Sequence, residues 1–441
     1  MKIRKELLEL AESLVNYGRK QGAEEIQVAI SEGTEFSLEI RNGNIEKLIE
    51  ANSQSIGIKV ILDHRVAQVS SSDLSKETLQ HLIRTAIERA KISSPDPFSG
   101  LPELKHVELD DTKLEIYDPS LLELSPEFKI QYAKELESIC LAEPKIKKSF
   151  GAGLSTYAGA YYLANSNRFL GAYRRTFFSS GITLQAGEGD NLIDEGWEES
   201  CLYRKDIPPP GIIAKKAIHR VIRLIGARKI ETQNVPVILE APVASHFLRF
   251  LYQCINGNTV YLKQSFLAEQ LGQPIANSDI TVIDDGTIPH RPGSKPFDGE
   301  GVPTQRTPVI ENGILKNFLL DTYTGKKLGM PSTGNASGPN NFFLSPGNAT
   351  PETLIRSVSK GILITGTIGF GLVPTTGDIS QGAFGIWIEN GELAFPVAEI
   401  TLSGNLGTLL KSIEGIANDL DLNRIISAPT LKIAEMTIGG K

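Results

Sequence analysis

The densest run of residues able to do chemistry lies between positions 284 and 306: Asp284-Asp285-Gly286, then Asp298-Gly-Glu300-Gly, then Arg306. Two carboxylates beside glycines could work as an acid–base pair or hold Ca²⁺ or Mg²⁺. The D-x-[DN]-x-[DN]-G spacing of an EF-hand is absent, however. Loop-turn carboxylates paired with Arg306 are the plainer reading. A second polar loop, Gly334-Asn335-Ala with Asn340-Asn341, is suited to offering amides to a partner backbone.

Metal and nucleophile chemistry has less material. The chain of 441 residues holds six histidines and three cysteines. A helical zinc-protease site needs two imidazoles on one helix face and a glutamate beside the bound water. Here His64, His81, His106, His219, His246 and His290 are followed by Arg, Leu, Val, Arg, Phe and Arg, and no two lie within two helical turns of each other. Scattered surface or core histidines are therefore expected. Cys140, Cys201 and Cys254 form no CxxC pair and fit free thiols in a reducing compartment. Cys254, between Leu251 and Ile255, reads as a buried structural thiol. No Gly-x-Ser-x-Gly elbow occurs. The run Gly366-Thr-Ile-Gly369-Phe-Gly371 lacks the Lys-Ser/Thr of a phosphate-binding loop and any ribose-binding acid.

The elements that must position these residues show two textures. Residues 6–19 carry Leu7, Leu10, Ala11, Leu14 and Val15 on one helical face. Further helices are predicted after Ser75, near 127–141, after Pro208-Pro-Pro-Gly211, at 243–255 and at 405–418. Alternating residues around Asn42-Gly43, Asn312-Gly313 and Asn390-Gly391 predict three hairpins with type I′ turns. Residues 150–186 read as short strands with turns at Asn165-Ser-Asn and Gly171, and a last strand covers 430–438. Helices gather in the first half and hairpins in the second, which predicts an α+β fold. The expected domains are 1–210, of mixed α and β character, and 211–441, β-rich with antiparallel hairpins.

Composition sets the frame. The net charge is −7, with 40% hydrophobic and 22% charged residues. This is a globular composition, and its acidity argues against broad nucleic-acid binding, which wants a basic face. The uncharged stretch 361–377 is too short and glycine-broken to span a bilayer. No signal-peptide pattern opens the chain, so a cytoplasmic location is expected.

The ordered string Asp284-Asp285-Gly286, Gly293-Ser294, Phe297-Asp298-Gly-Glu300-Gly301-Val-Pro-Thr-Gln-Arg306-Thr, Glu311-Asn-Gly313, Lys327-Leu-Gly329 and Thr333-Gly-Asn335-Ala resembles the TldD/PmbA family, also called modulator of DNA gyrase. Ile40-Arg41-Asn42-Gly43, Ser72-Asp73-Leu74, Ser403-Gly404-Asn405 and Ser427-Ala428-Pro429 extend the resemblance over the whole chain. In TldD-type members an HExxxH helix and a later cysteine bind the catalytic zinc. The matching helix here, near 243–256, keeps only His246, and the matching loop, Thr375 to Gly382, has no cysteine. The stretch Ser380-Gln-Gly382-Ala-Phe-Gly385-Ile-Trp-Ile-Glu389 looks like the PmbA (TldE) branch. The resemblance therefore implies no catalytic residue and no metal in this chain, with zinc expected in a TldD-type partner.

That resemblance implies a subunit that pairs with a TldD-like homologue, completes an enclosed cavity and helps present unfolded peptide; whether the isolated chain forms a homodimer is left open by the sequence. Asp298, Glu300, Arg306, Gly334 and Asn335 are the expected peptide-binding or cavity-lining residues. Two other readings stand beside it. One is an independent peptidase using Asp298, Glu300 or another set. The other is a non-enzymatic regulator of DNA gyrase, for which direct DNA binding is disfavoured by the charge.

Overall fold

The computed structural model describes residues 2–103, 111–189, 191–369 and 371–440. His106 and Phe370 lie outside the described residues. The first half is built on six antiparallel strands: β1 (Glu25–Arg41), β2 (Asn44–Leu62), β3 (Arg65–Ser71), β4 (Ile146–Asn165), β5 (Leu170–Glu188) and β6 (Asn191–Cys201). Their order in the sheet is β3-β2-β1-β4-β5-β6. Side chains alternate across a strand, and β1 uses this fully. Ile26, Val28 and Ile30 are buried under helices α1 (Lys5–Lys20) and α2 (Lys76–Ile92). Phe36, Leu38 and Ile40, in the same phase, are buried under α3 (Pro126–Leu141) and α4 (Pro210–Ile222). One face of the sheet is thus helix-covered.

The opposite face carries small and aromatic residues in register, Ser37 opposite Ser155 opposite Ser179 and Tyr157 opposite Phe177, and turns toward the second half. The Asn42-Gly43 hairpin forms as expected, with both residues at positive φ (51° and 74°). Its two backbone N–H groups donate to the Glu137 carboxylate of α3 at 3.1 and 2.8 Å. Helix α4 contributes Ile213, Ala214, Ala217 and Val221 to the N-terminal core. The 210/211 division expected from the sequence falls at the first residue of this helix.

In the second half five strands close on themselves. Strand β7 (Gln233–Leu239) pairs with β12 (Lys360–Ile368) and β18 (Leu431–Gly439). In turn β18 pairs with β15 (Glu392–Asn405), β15 with β14 (Asp378–Glu389), and β14 with β12. Closure removes free edges, which an open sheet would leave as sites for unwanted pairing. The short β13 (Leu372–Val373) and β16 (Ile413–Ile416) add to β14 and β18. A second sheet has the order β10-β9-β8-β11-β17, from β8 (Val282–Asp285), β9 (Arg306–Glu311), β10 (Ile314–Leu315), β11 (Asn341–Leu344) and β17 (Ile426–Ser427). Helix α5 (Ala241–Ile255) shares one core with both: Phe247, Leu251 and Cys254 are buried with Val237 and Ile364 of the barrel and Val282 and Phe342 of the sheet. The architecture is α+β, as the textures predicted.

Two expectations fail. Residues 150–186 are not short strands: Gly171 sits inside β5 opposite Leu163, and the chain turns at Asn165, whose side chain accepts from the N–H groups of Asn167 and Phe169. Glycine in these strands marks close approach and curvature rather than turns. The helix expected over 405–418 ends at Lys411, because Ser412 donates back to the Thr408 carbonyl and Ile413–Ile416 is taken up as a strand by β18.

Candidate functional site

The 284–306 constellation folds into a buried polar network. Asp284 is fully buried and accepts from the Asn335 and Asn340 side-chain amides and the Asn340 N–H, each at 2.8 Å. Burial pushes its carboxyl upward against those bonds. Asp298, 1% exposed, accepts from the N–H groups of Glu300, Val302 and Ala336 at 2.9–3.0 Å. Burial raises its pKa to about 6, despite the three donors. Glu300 accepts from the Thr322 N–H at 2.9 Å and reaches Lys59 of β2 at 3.7 Å. Gly334 needs its positive φ (76°), and a Cβ there would meet the Pro303 carbonyl at 2.9 Å. Arg306 is exposed at the start of β9 and, among the described residues, pairs with neither Asp298 nor Glu300.

This network holds the two halves together. Gly299 O accepts from Gln27 of β1, and Phe297 is buried against Phe169, Tyr173 and Tyr161 with ring centroids 4.9–6.2 Å apart. None of the five expected residues is among those lining the cavity described next.

That cavity, of ≈ 1040 Å³, lies between the bare face of the N-terminal sheet and the C-terminal half. Tyr157, Arg175, Phe177 and Trp197 form one wall; Ser245, His246 and Arg249 of α5 and the 419–428 segment form the other. A second cleft of ≈ 680 Å³ shares Trp197, Arg220, Pro242 and Arg424 with it. Both walls end in an outermost strand: β6 closes the N-terminal sheet and β17 the second sheet, and residues of each line the cavity. Ser200 of β6 donates to the Asn423 carbonyl at 3.0 Å, tying the walls at one end.

The charged groups within are largely matched. Arg220 donates to Glu240 at 2.7 Å, to Glu195 at 3.2 Å and to the Thr365 carbonyl at 2.7 Å, while Arg223 donates twice to Glu240 at 2.8 Å. Burial drives the Glu240 carboxyl up, and the guanidiniums of Arg223 and Arg220 outweigh it, leaving the group below its ordinary value. Trp197 donates to Glu199 at 2.7 Å under the cationic heads of Lys216 and Arg220.

The helix that would carry zinc ligands offers a poor donor set. His246 stacks edge-on to Phe250 at 4.7 Å, and burial, with Arg249 nearby, lowers its pKa. The Gln381 amide lies beside the ring, yet neither its atoms nor His246 Nε2 closes a well-formed bond. Cys254, two turns along, is buried, and its thiol is pushed up to about 12. Among the described residues no three His, Cys, Asp or Glu side chains converge as metal ligands. A single neutral imidazole beside an amide does not fit a zinc ion, which takes three or four N, S or O ligands.

Residues 232–440 match the PmbA/TldA metallopeptidase C-terminal domain, 27–90 domain 1 and 119–225 the central domain of that family. The metalloprotease PmbA of Escherichia coli O157:H7 is 32% identical over 96% of this chain and 93% of its own length. The chain belongs to the PmbA/TldD metallopeptidase family. Within it the chain is PmbA-like: the PmbA homologue of Haemophilus influenzae is 31% identical over 99% of this chain and 96% of its own. A crystal structure from Bacteroides thetaiotaomicron, described as a candidate modulator of DNA gyrase, is 29% identical and superposes with a TM-score of 0.93, covering 100% of both chains. TldE from Thermococcus kodakarensis, 21% identical, shares the fold, with a TM-score of 0.87 over 98% of this chain and 100% of its own.

Sequence reasoning missed the cavity residues Trp197, Arg175, Arg220, Glu240 and Arg249. They sit on β5, β6, α4, α5 and the residue before α5, so no local spacing joins them. Only Trp197, one of two tryptophans, carried a signal by its rarity.

Proposed function

We propose that this PmbA-like chain is a metal-free, TldE-type subunit that pairs with a TldD-like homologue and helps hold unfolded peptide for the partner's zinc site. What supports this reading is the α5 wall of the cavity, where His246 stands beside the Gln381 amide of β14 and, among the described residues, no set of three metal ligands converges. Zinc-assisted hydrolysis needs a metal to activate water, and among the described residues no ligand set for one is assembled there. What the cavity offers is two outermost strands and aromatic side chains, the means by which extended peptides are bound by strand addition. Asp298, Glu300, Gly334 and Asn335 serve this cavity at one remove, by fixing the loop that docks the C-terminal half on the N-terminal sheet, while Arg306 stays at the surface.

The test is zinc analysis of the purified chain with a peptidase assay, alone and mixed with an HExxxH-bearing homologue. The expected result is substoichiometric zinc, no turnover alone and turnover in the mixture. One zinc per chain with peptidase activity in isolation would overturn the reading.

A further inference from the structure

The helix-covered face of the N-terminal sheet has a seam. Ile26, Val28 and Ile30 of β1 lie under α1 and α2, and Phe36, Leu38 and Ile40 under α3 and α4. Between them stands Thr34, with Ala158 of β4 opposite it and Thr156 opposite Phe36. A pocket of ≈ 230 Å³ opens at this seam, walled on its other side by Leu121, Leu124 and the start of α3. Lys129, one turn into α3, lines it. The residue is only 8% exposed, and its Nζ lies 4.2 Å from the centroid of the Phe36 ring. Among the described residues Nζ makes no hydrogen bond and no ion pair. A ring face attracts the charge, yet an ammonium carries three donors. Burial pulls the Lys129 pKa below the ordinary lysine value, and Glu50 opposes that only from beyond ion-pair distance. A buried charge without a partner is costly, and here it faces a pocket.

We propose that this pocket binds a small monocarboxylate with an apolar body, its carboxylate on Lys129 and its hydrocarbon part against Phe36, Leu121 and Leu124. The charge is the first reason. An ammonium-to-carboxylate bond is among the strong hydrogen bonds, and more so away from water. Thr156, also 8% exposed and lining the pocket, has a hydroxyl without a partner among the described residues and supplies a second donor. The 16-residue helix α3 adds the positive end of its dipole, since Ser125 and Pro126 border the same space. A more highly charged anion is disfavoured. Glu50 and Glu123 also line the pocket, and of the two only Glu123 is ion-paired among the described residues, with Arg204 at 3.5 Å. Size and lining exclude a peptide: the volume equals roughly seven waters at about 30 Å³ each, and leucine, proline and phenylalanine dominate the walls. The pocket lies on the opposite face of the sheet from the large cavity, so this inference stands apart from the reading given above.

Benzoate, phenylacetate and isovalerate are the probes, added to the full chain in thermal melts and in isothermal titration. At least one should bind and raise the melting temperature of wild type, whereas benzyl alcohol and inorganic phosphate should not. Lys129→Met keeps the reach of the side chain and removes its charge, so it should fold and bind the same carboxylate about tenfold more weakly. A footprint on wild type makes the test independent of that variant. N-hydroxysuccinimidyl acetate should acetylate Lys129 more slowly when the carboxylate is present, with the exposed lysines unaffected, as read by peptide mass spectrometry. Failure of all three carboxylates to bind would overturn the proposal. So would equal binding by Lys129→Met, an equal response to benzyl alcohol, or a footprint that leaves Lys129 unprotected.

Discussion

At the scale of single residues, the carboxylates that look most chemical are occupied with backbone N–H groups and asparagine amides. Asp298 spends its oxygens on three N–H groups of its own loop and the next one. Its folded pKa of about 6 stands above the 3.8 of an unperturbed aspartate, chiefly through burial. The folded state therefore holds the proton more tightly. Stability from this group is greatest below pH 4 and declines as pH rises to about 6, by up to roughly 3 kcal/mol. Asp298→Asn cannot ionise, so its midpoint in urea should lack that decline relative to wild type. Denaturation curves at pH 4, 5, 6 and 7 would measure it, and parallel profiles for the two proteins would contradict it. The presence of Asp284, Asp298 and Asn335 as a polar constellation was legible in the sequence. Whether their oxygens face a cavity or a backbone was not, because that depends on the path of loops 50 residues apart.

Among the elements, α4 and α5 matter most to the cavity. Helix α4 is packed on the N-terminal sheet, yet its Arg220 and Arg223 grip Glu240, the residue that precedes α5. The pairing fixes the start of the helix that carries His246 and Arg249 against the other half of the molecule. Glu240→Gln leaves Arg220 with Glu195 and the Thr365 carbonyl but deprives Arg223 of its partner. The expected loss is roughly 2–3 kcal/mol, below the 3–5 of a fully buried pair because Glu240 is partly exposed, measured by thermal or chemical denaturation at pH 7. Both helices were legible from their period and from the proline run before α4. Their union through Glu240 was not, since a lone glutamate between a strand and a helix signals nothing locally.

For the whole molecule, the question is what keeps the two halves together around the cavity. Besides the Phe297 contact, Asp96 after α2 accepts from Tyr323 at 2.7 Å and from Lys327 at 3.0 Å, and Lys327 lies over the Phe98, Tyr261 and Tyr323 rings. The Tyr323 hydroxyl and the Phe98 N–H, with Lys327, hold the Asp96 carboxyl down at about 2. A depressed carboxyl stabilises the fold above its unfolded value near 3.8 and ceases to do so as pH falls through about 2. Asp96→Asn should therefore differ from wild type in stability at pH 5 and converge with it near pH 2. Thermal melts across that range decide it, and a constant difference would show that the carboxylate's charge plays no part. No helix among the described residues is long and apolar enough to cross a membrane.

What the sequence determined by itself was local or additive: the α+β character, the glycine-turned hairpins and the family's ordered string of motif residues. These follow from period, turn chemistry and residue identity, which need no knowledge of distant neighbours. Only the tertiary structure decided that the conspicuous carboxylates brace a domain contact and that the cavity is walled by Trp197, Arg175 and α5. Only it showed that, among the described residues, β2 from Asn44 to Ser55 has no strand on its outer side. Each of those depends on which segments meet across more than a hundred residues, and long-range pairing leaves little trace in any short window of sequence.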